Sequence, residues 1–318
     1  MYSTRTQNTE CTDEANNFGF HLADGTVYTH VNGDEYEDIV AAWDWNLIPG
    51  ITVDYGATPL ECNMTRKTGT QSFVGGASDG TLGAVAMRYE NPITKSLNWR
   101  KTWFFLPDDV QLVMVARITS STEAPVYSVL DQRKHTGDVV INGATSSGGN
   151  FTSPSTLWHG GVGYAFNTTD PVTLSVAVAE RTGAWTAIGA STQPPETVDM
   201  FTAYLVHDDL SADIAYFAFP GTASAADLAT KADAARAGVT TIRNDGSISA
   251  AVDAANGPTA FGVFWETDGG TFTVPALAAG EAPVKIQSTG SACVILKDRK
   301  STRLNSSHSG ESRMPSSA

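Results

Sequence analysis

Three groups of residues in this 318-residue chain are of types that do chemistry, and their surroundings decide what each can do. Gly76-Ala77-Ser78-Asp79-Gly80 fits the G-x-S-x-G pattern, in which a serine nucleophile sits on a sharp turn between a strand and a helix. The next residues, Thr81 to Met87, read as a strand, so the five are expected to form a glycine-rich hairpin turn. His207-Asp208-Asp209 with Asp213, and His21 with Asp24, place metal-capable groups near one another. They have neither the i, i+4 histidine spacing of a helical zinc site nor the acidic loop of a calcium hand, so no metal or other cofactor is expected. A calcium ion on loop carboxylates is compatible with these residues, but no motif asks for one. Trp43, Trp45, Trp99, Trp103, Trp158, Trp185 and Trp265 form the third group, because flat aromatic faces stack on sugar rings. Tryptophan is also a large core side chain, so packing is the default expectation for each.

The elements that must position these groups are short strands. Alternating apolar and polar blocks are bounded by Asp24-Gly25, Asn32-Gly33, Asp79-Gly80, Asn142-Gly143, Asp245-Gly246 and Asp268-Gly269, pairs that favour the positive φ angles of tight turns. Residues 110–118, 172–179, 201–206 and 214–219 read as strands rich in β-branched and aromatic residues. No strand–helix alternation accompanies them, which points to packed antiparallel sheets rather than a nucleotide-binding fold. One helix is expected, from Ala225 to Ala237, with Ser224 as its cap, Asp227 at its positive end and Gly238 as its stop. Beyond it, residues 239–256 and 260–296 form a second set of strand-like blocks.

Composition narrows the partners. A hydrophobic fraction of 41% suffices for a sizeable core, and a net charge of -14 without a lysine- or arginine-rich run argues against nucleic acid. The same acidity repels a polyanionic glycan at long range, so a surface that binds one must be a local exception or lie elsewhere. No apolar run approaches the length of a membrane helix, and the N-terminus lacks a signal-peptide pattern. Cys11, Cys62 and Cys293 are too few and too dispersed for a disulfide framework; buried thiols or a single bridge fit them. Sequons at Asn63, Asn150 and Asn167 permit glycosylation. From Arg299 the chain becomes polar and aperiodic, and residues 299–318 resemble translated adapter sequence. They read as a non-native tail, with the natural chain continuing past Lys297.

Trp43-Asp44-Trp45-Asn46-Leu47-Ile48-Pro49-Gly50-Ile51-Thr52 is preceded by Asn16, Gly19, Leu22, Asp24 and Gly25 and followed by Phe73-Val74-Gly75-Gly76 and Lys101-Thr102-Trp103-Phe104-Phe105. Leu130-Asp131-Gln132-Arg133, Arg181-Thr182-Gly183-Ala184-Trp185, and His207 with Ala215-Tyr216 and Pro220-Gly221 come next. In this order and spacing the blocks resemble the β region of the polysaccharide lyase family that includes hyaluronate, chondroitin AC and xanthan lyases. The resemblance implies an all-β fold: a large antiparallel supersandwich of the galactose-mutarotase-like kind over residues 1–222, a helical linker over 223–238, and a smaller, truncated β-sandwich over 239–298.

It also implies an extracellular enzyme that cleaves uronate-containing polysaccharides by β-elimination. Such chemistry needs a base for the proton α to the carboxylate, a group to neutralise that carboxylate and an acid for the leaving oxygen. In the family those residues lie on an N-terminal α/α toroid that has no counterpart here, so the toroid and an acidic polysaccharide are the expected partners, with no nucleic acid and no membrane. The piece alone is expected to be inactive. One family glutamate does come from the β region, in an Asn-Gly-Glu-Asn stretch. Asp13-Glu14-Ala15-Asn16 matches it here, with Ala15 at the glutamate's place and Glu14 one position off, on the opposite face of an extended segment unless a bulge intervenes. Glu14 is therefore the one catalytic candidate, and Asn16, Trp43 and Trp45 are the substrate-binding candidates. Two other readings of the same residues are a stand-alone carbohydrate-binding or structural sandwich and a mutarotase-like sugar epimerase.

Overall fold

Alternation in the sequence becomes two facing antiparallel sheets in the computed structural model, which describes residues 2–3, 15–61, 68–167, 171–255, 257–277 and 282–297. Among these residues the larger sheet has nine strands. Their spatial order is Ala144–Thr145, Val139–Ile141, Thr156–His159, Val162–Phe166, Ile214–Pro220, Gln111–Ser120, Leu97–Phe105, Gly83–Glu90 and Val74–Ser78. The smaller has five: Gly148–Thr152, Thr173–Gly183, Glu196–Val206, Val126–Lys134 and Thr52–Asp54. Between them lies a core that includes Trp99, Trp103, Leu130, Phe166, Leu174 and Phe201.

The central strands of the large sheet do not alternate in burial, because both their faces are covered. In Leu97–Phe105 the odd positions Trp99 and Trp103 face the sandwich core, while Phe104 packs against Phe261 and Trp265. Those two belong to the C-terminal part, where Val239–Asn244, Ile248–Asp253, Thr259–Phe264 and Ala292–Lys297 form a four-stranded sheet beside the hairpin Gly270–Val274 and Val284–Ser288. In the neighbouring strand Gln111–Ser120 this double burial reads as the unbroken apolar run Leu112-Val113-Met114-Val115-Ala116.

The helix Ala225–Gly238 joins the two parts, and its Ser224 hydroxyl accepts the Asp227 amide at 3.1 Å. Leu228, Ala232 and Ala235 pack on Ala165 and Phe219 of the large sheet. Gly238 does not stop this helix through a left-handed turn, as the sequence suggests. It belongs to the helix, and its missing side chain admits Ala255, whose Cβ would lie 2.7 Å from one at position 238. The serine of the G-x-S-x-G pattern ends the strand Val74–Ser78, and Asp79 to Leu82 turn directly into its hairpin partner Gly83–Glu90. No helix follows Ser78, so its hydroxyl simply donates to the Leu82 carbonyl at 2.8 Å.

Cys293, the one cysteine among the described residues, is a free thiol that burial pushes up to about 12. Cys11, Cys62 and the 299–318 segment lie outside the described residues. No helix of the described residues is long and apolar enough to cross a membrane. Trp265 is fully buried at the junction of the two parts, so Trp265→Ala is expected to lower the unfolding free energy by about 3–5 kcal/mol. Urea unfolding of both proteins checks this.

Candidate functional site

The site is built on the loop from Tyr28 to Gly50, which carries the Trp-Asp-Trp block and has little secondary structure of its own. Its shape comes from polar side chains of the neighbouring strands. Gln132 has its whole amide occupied: Oε1 accepts the Asp44 amide at 2.8 Å, and Nε2 donates to the carbonyls of Asp44 at 3.0 Å and Leu47 at 2.9 Å. Asp44 in turn accepts from the Asn46 amide at 3.0 Å and from the Tyr55 hydroxyl at 2.6 Å. Arg181 Nε holds the Ala42 carbonyl at 3.0 Å, and a methyl at Gly183 would overlap the carbonyl of Ala41. The Arg-Thr-Gly-Ala-Trp segment can therefore lie flush on the loop and bring Trp185 beside Trp43 and Trp45.

At the end of the loop the chain turns into the small sheet through Gly50, at φ +88°. A Cβ there would stand 2.6 Å from the Val27 nitrogen, whose N–H donates to the Pro49 carbonyl. Lys101, fully buried, crosses from the large sheet to donate to the Gly50 carbonyl at 2.8 Å and to Thr52 Oγ1 at 3.3 Å. Thr52 Oγ1 contacts Ser128 Oγ at 2.9 Å, and Ser128 Oγ contacts His207 Nε2 at 2.8 Å. Burial pulls the Lys101 ammonium down to about 7. It also pulls the His207 imidazole down to about 4, with the nearby Lys101 charge acting in the same direction.

Asn16, Trp43 and Trp45 line one cleft of about 360 Å³, with Leu22, Tyr28 and Trp185 on its other sides. The two tryptophans are its floor rather than its open face, each only 6% exposed. Their rings meet edge to face at 5.4 Å, and Tyr28 stacks on Trp43 at 6.1 Å. Tyr28, 39% exposed, offers the ring that a ligand would meet first. Sequence reasoning leaves Tyr28 out because nothing in its neighbourhood sets it apart from a strand tyrosine. Trp185 is visible there only as one tryptophan among seven. Glu14 lies outside the described residues.

The sequence-adjacent acids around His207 go separate ways. Asp208 accepts from Thr173, Asp209 caps its own turn at Ser211, and Asp213 accepts the Arg117 amide. His21 Nδ1 and the Tyr89 hydroxyl both bond Asp24 Oδ2, at 2.8 and 3.0 Å, in a fully buried trio where burial raises the carboxyl of Asp24 above its usual range. Among the described residues no three His, Cys, Asp or Glu side chains gather as a metal site would need.

The His207 shift sets a pH dependence. With its folded value near 4 and an unfolded value near 6.5, the unfolded chain binds more protons between them. The contribution of neutral His207 is thus complete above about pH 6.5 and is lost as pH falls through about 4. A His207→Gln variant is expected to lose less stability than the parent chain between neutral pH and about pH 4 when both are unfolded in urea.

Comparison with known proteins gives this architecture a setting. A sequence profile described as the super-sandwich domain of polysaccharide lyase family 8 matches residues 1–232. Chondroitinase-AC of Pedobacter heparinus is 30% identical over 230 residues, which cover 70% of this chain and 32% of that protein. The solved structure of the Streptomyces coelicolor A3 chondroitin AC lyase in complex with chondroitin sulphate superposes with a TM-score of 0.73 at 27% identity, covering 94% of this chain and 38% of the other. A Paenibacillus xanthan lyase superposes with a TM-score of 0.78 at 20% identity, covering 94% and 29%. The chain spans about a third of the length of its curated chondroitinase relative.

Proposed function

The chain belongs to polysaccharide lyase family 8, and from that premise we propose that it is the β-domain portion of a secreted enzyme that cleaves uronate-containing polysaccharides by β-elimination. In this reading a separate α/α toroid supplies the base, the carboxylate-neutralising group and the leaving-group acid. The β portion supplies one wall of the substrate cleft.

The observation that carries the reading is the aromatic cleft of Tyr28, Trp43, Trp45 and Trp185 with Asn16 at its rim. Stacked and edge-on rings make a rigid apolar platform for a sugar face. The same lining argues that the chain does not complete the chemistry by itself. Among the described residues no histidine or arginine lines the cleft, and burial pushes the Tyr28 phenol up to about 12, which makes it a poor base near neutral pH.

Incubated with hyaluronan, chondroitin or xanthan, the isolated chain is expected to give no rise in the ultraviolet absorbance of an unsaturated uronide; clear turnover would sink the division of labour proposed here. Chondroitin oligosaccharides are expected to quench its tryptophan fluorescence, with the response weakened in Tyr28→Ala. Quenching that is identical in that variant would remove the cleft from the account.

A further inference from the structure

On the face of the large sheet that looks away from the sandwich core, three arginines gather where the sheet meets the C-terminal strands. Arg88 and Arg100 are direct cross-strand partners on Gly83–Glu90 and Leu97–Phe105. Like charges opposite each other destabilise a sheet unless something offsets them. Arg117 joins them from Gln111–Ser120 through a β-bulge: Asn98 pairs with Thr119 and Arg100 with Ala116, leaving Arg117 and Ile118 together opposite Trp99. Its φ of +52° makes Arg117 the only non-glycine residue inside a described strand that adopts the left-handed region. Bulges of this kind bend a strand and re-aim a side chain. Asp213 Oδ1 fixes the Arg117 amide at 2.8 Å, and Gly246 leaves room for the side chain, since a Cβ there would lie 3.0 Å from Arg117 Cδ.

One carboxylate answers these three cations. Glu266 Oε1 accepts from Arg100 Nη1 at 2.8 Å and from Arg117 Nη1 at 3.3 Å. Arg88 donates through Nη2 to the Trp265 carbonyl, and its buried Nε has no hydrogen-bond partner among the described residues. Of the other nearby acids, Asp245 is engaged by Arg243, Asp213 by the Arg117 amide, and Glu90, the cross-strand partner of Asn98, by Thr70, by Gln71 Nε2 at 3.1 Å and by Lys95. The three guanidiniums that line the recess thus share one directly bonded carboxylate, in a chain whose net charge is -14. The arginines line a recess of about 360 Å³ together with Gln71, Asn98 and Thr119. Clamping the C-terminal strands accounts for the bonds to Trp265 and Glu266. It does not account for the like-charge pair or the strained aim of Arg117.

We propose that this recess is an oxyanion site, in which Arg88, Arg100 and Arg117 converge on a sulfate, phosphate or carboxylate group and Asn98 and Thr119 complete its hydrogen bonds. Guanidinium groups match such anions in charge and planar donor geometry. The oxyanion is either a free inorganic ion or a group carried on a sugar chain, and the site stands on its own geometry whatever reaction the enzyme performs.

Calorimetric titration of the full chain with sodium sulfate, against sodium chloride at matched ionic strength, tests this. Saturable binding of sulfate but not chloride is expected, and Arg117→Ala should weaken it about tenfold, the usual order for losing a charged hydrogen bond. The Arg117 side chain is 57% exposed, so that substitution leaves the core untouched. Lys285→Ala, on the exposed C-terminal hairpin, should leave the affinity unchanged. A parallel titration with sulfated and unsulfated disaccharides identifies the source. Binding of the sulfated but not the unsulfated sugar, weakened in Arg117→Ala, places the anion on a glycan, whereas binding of sulfate alone assigns the site to the free ion. Absence of saturable sulfate binding in the parent chain, or affinity unchanged from the parent in both Arg117→Ala and Arg88→Gln, would overturn the proposal.

Discussion

A fully buried lysine ties the two sheets together. Lys101 leaves the large sheet between Trp99 and Trp103 and ends on the Gly50 carbonyl and Thr52 Oγ1 of the small one. An amine buried this deeply is costly unless its protons are used, and here they go to the Gly50 carbonyl, where the loop enters the strand Thr52–Asp54, and to a threonine hydroxyl already tied to Ser128. Trp99 reinforces the crossing, its indole N–H donating to the Thr52 carbonyl at 2.9 Å. From Thr52 the polar line runs through Ser128 to His207, so a single buried chain of hydrogen bonds spans the sandwich core. The Trp-Asp-Trp loop, and with it the aromatic cleft, is held by this anchor together with Gln132 and Arg181.

The blocks that identify the family are mostly braces on one another. Lys101-Thr102-Trp103 supports Gly50, and Trp103 also leaves only enough room for a glycine at position 25. Leu130-Asp131-Gln132-Arg133 works on both sides of its strand. Gln132 holds the Trp-Asp-Trp block, while Asp131 accepts from Tyr36 Oη at 2.9 Å and from Arg133 Nε. Arg181 and Gly183 press the remaining side of the loop into place. Such rigidity suits a wall that must keep its shape while a ligand is held against it, and it explains how motifs can be specific without being catalytic.

Much of the fold was legible because strand pattern and turn chemistry are local. Asp79-Gly80, Asn142-Gly143 and Asp245-Gly246 each join paired strands, and the Ser224 cap sets the start of the helix. The same turn signal misleads at Asp24-Gly25, which lies in a short strand, Asp24–Thr26, where glycine is needed for a close approach of Trp103 rather than for a hairpin. The candidate site was half legible. Asn16, Trp43 and Trp45 do share a cleft, but the open ring belongs to Tyr28, whose exposure depends on packing that no local pattern encodes. Arg88, Arg100 and Arg117 look unrelated along the chain and meet only through strand register and a bulge. Long-range pairing of this kind is what a single sequence hides most completely.

The central claim is that the Lys101 crossing, rather than the loop's own residues, fixes the site-bearing segment. Amide hydrogen exchange in a Lys101→Met variant tests it most directly, because methionine fills the space without donating a hydrogen bond. The account predicts that the amides of Val27 and Gly50, bonded to Pro49 and Val129 in the parent chain, lose protection while the central strands such as Gln111–Ser120 keep theirs. Unchanged protection at Val27 and Gly50 in the folded variant would contradict it.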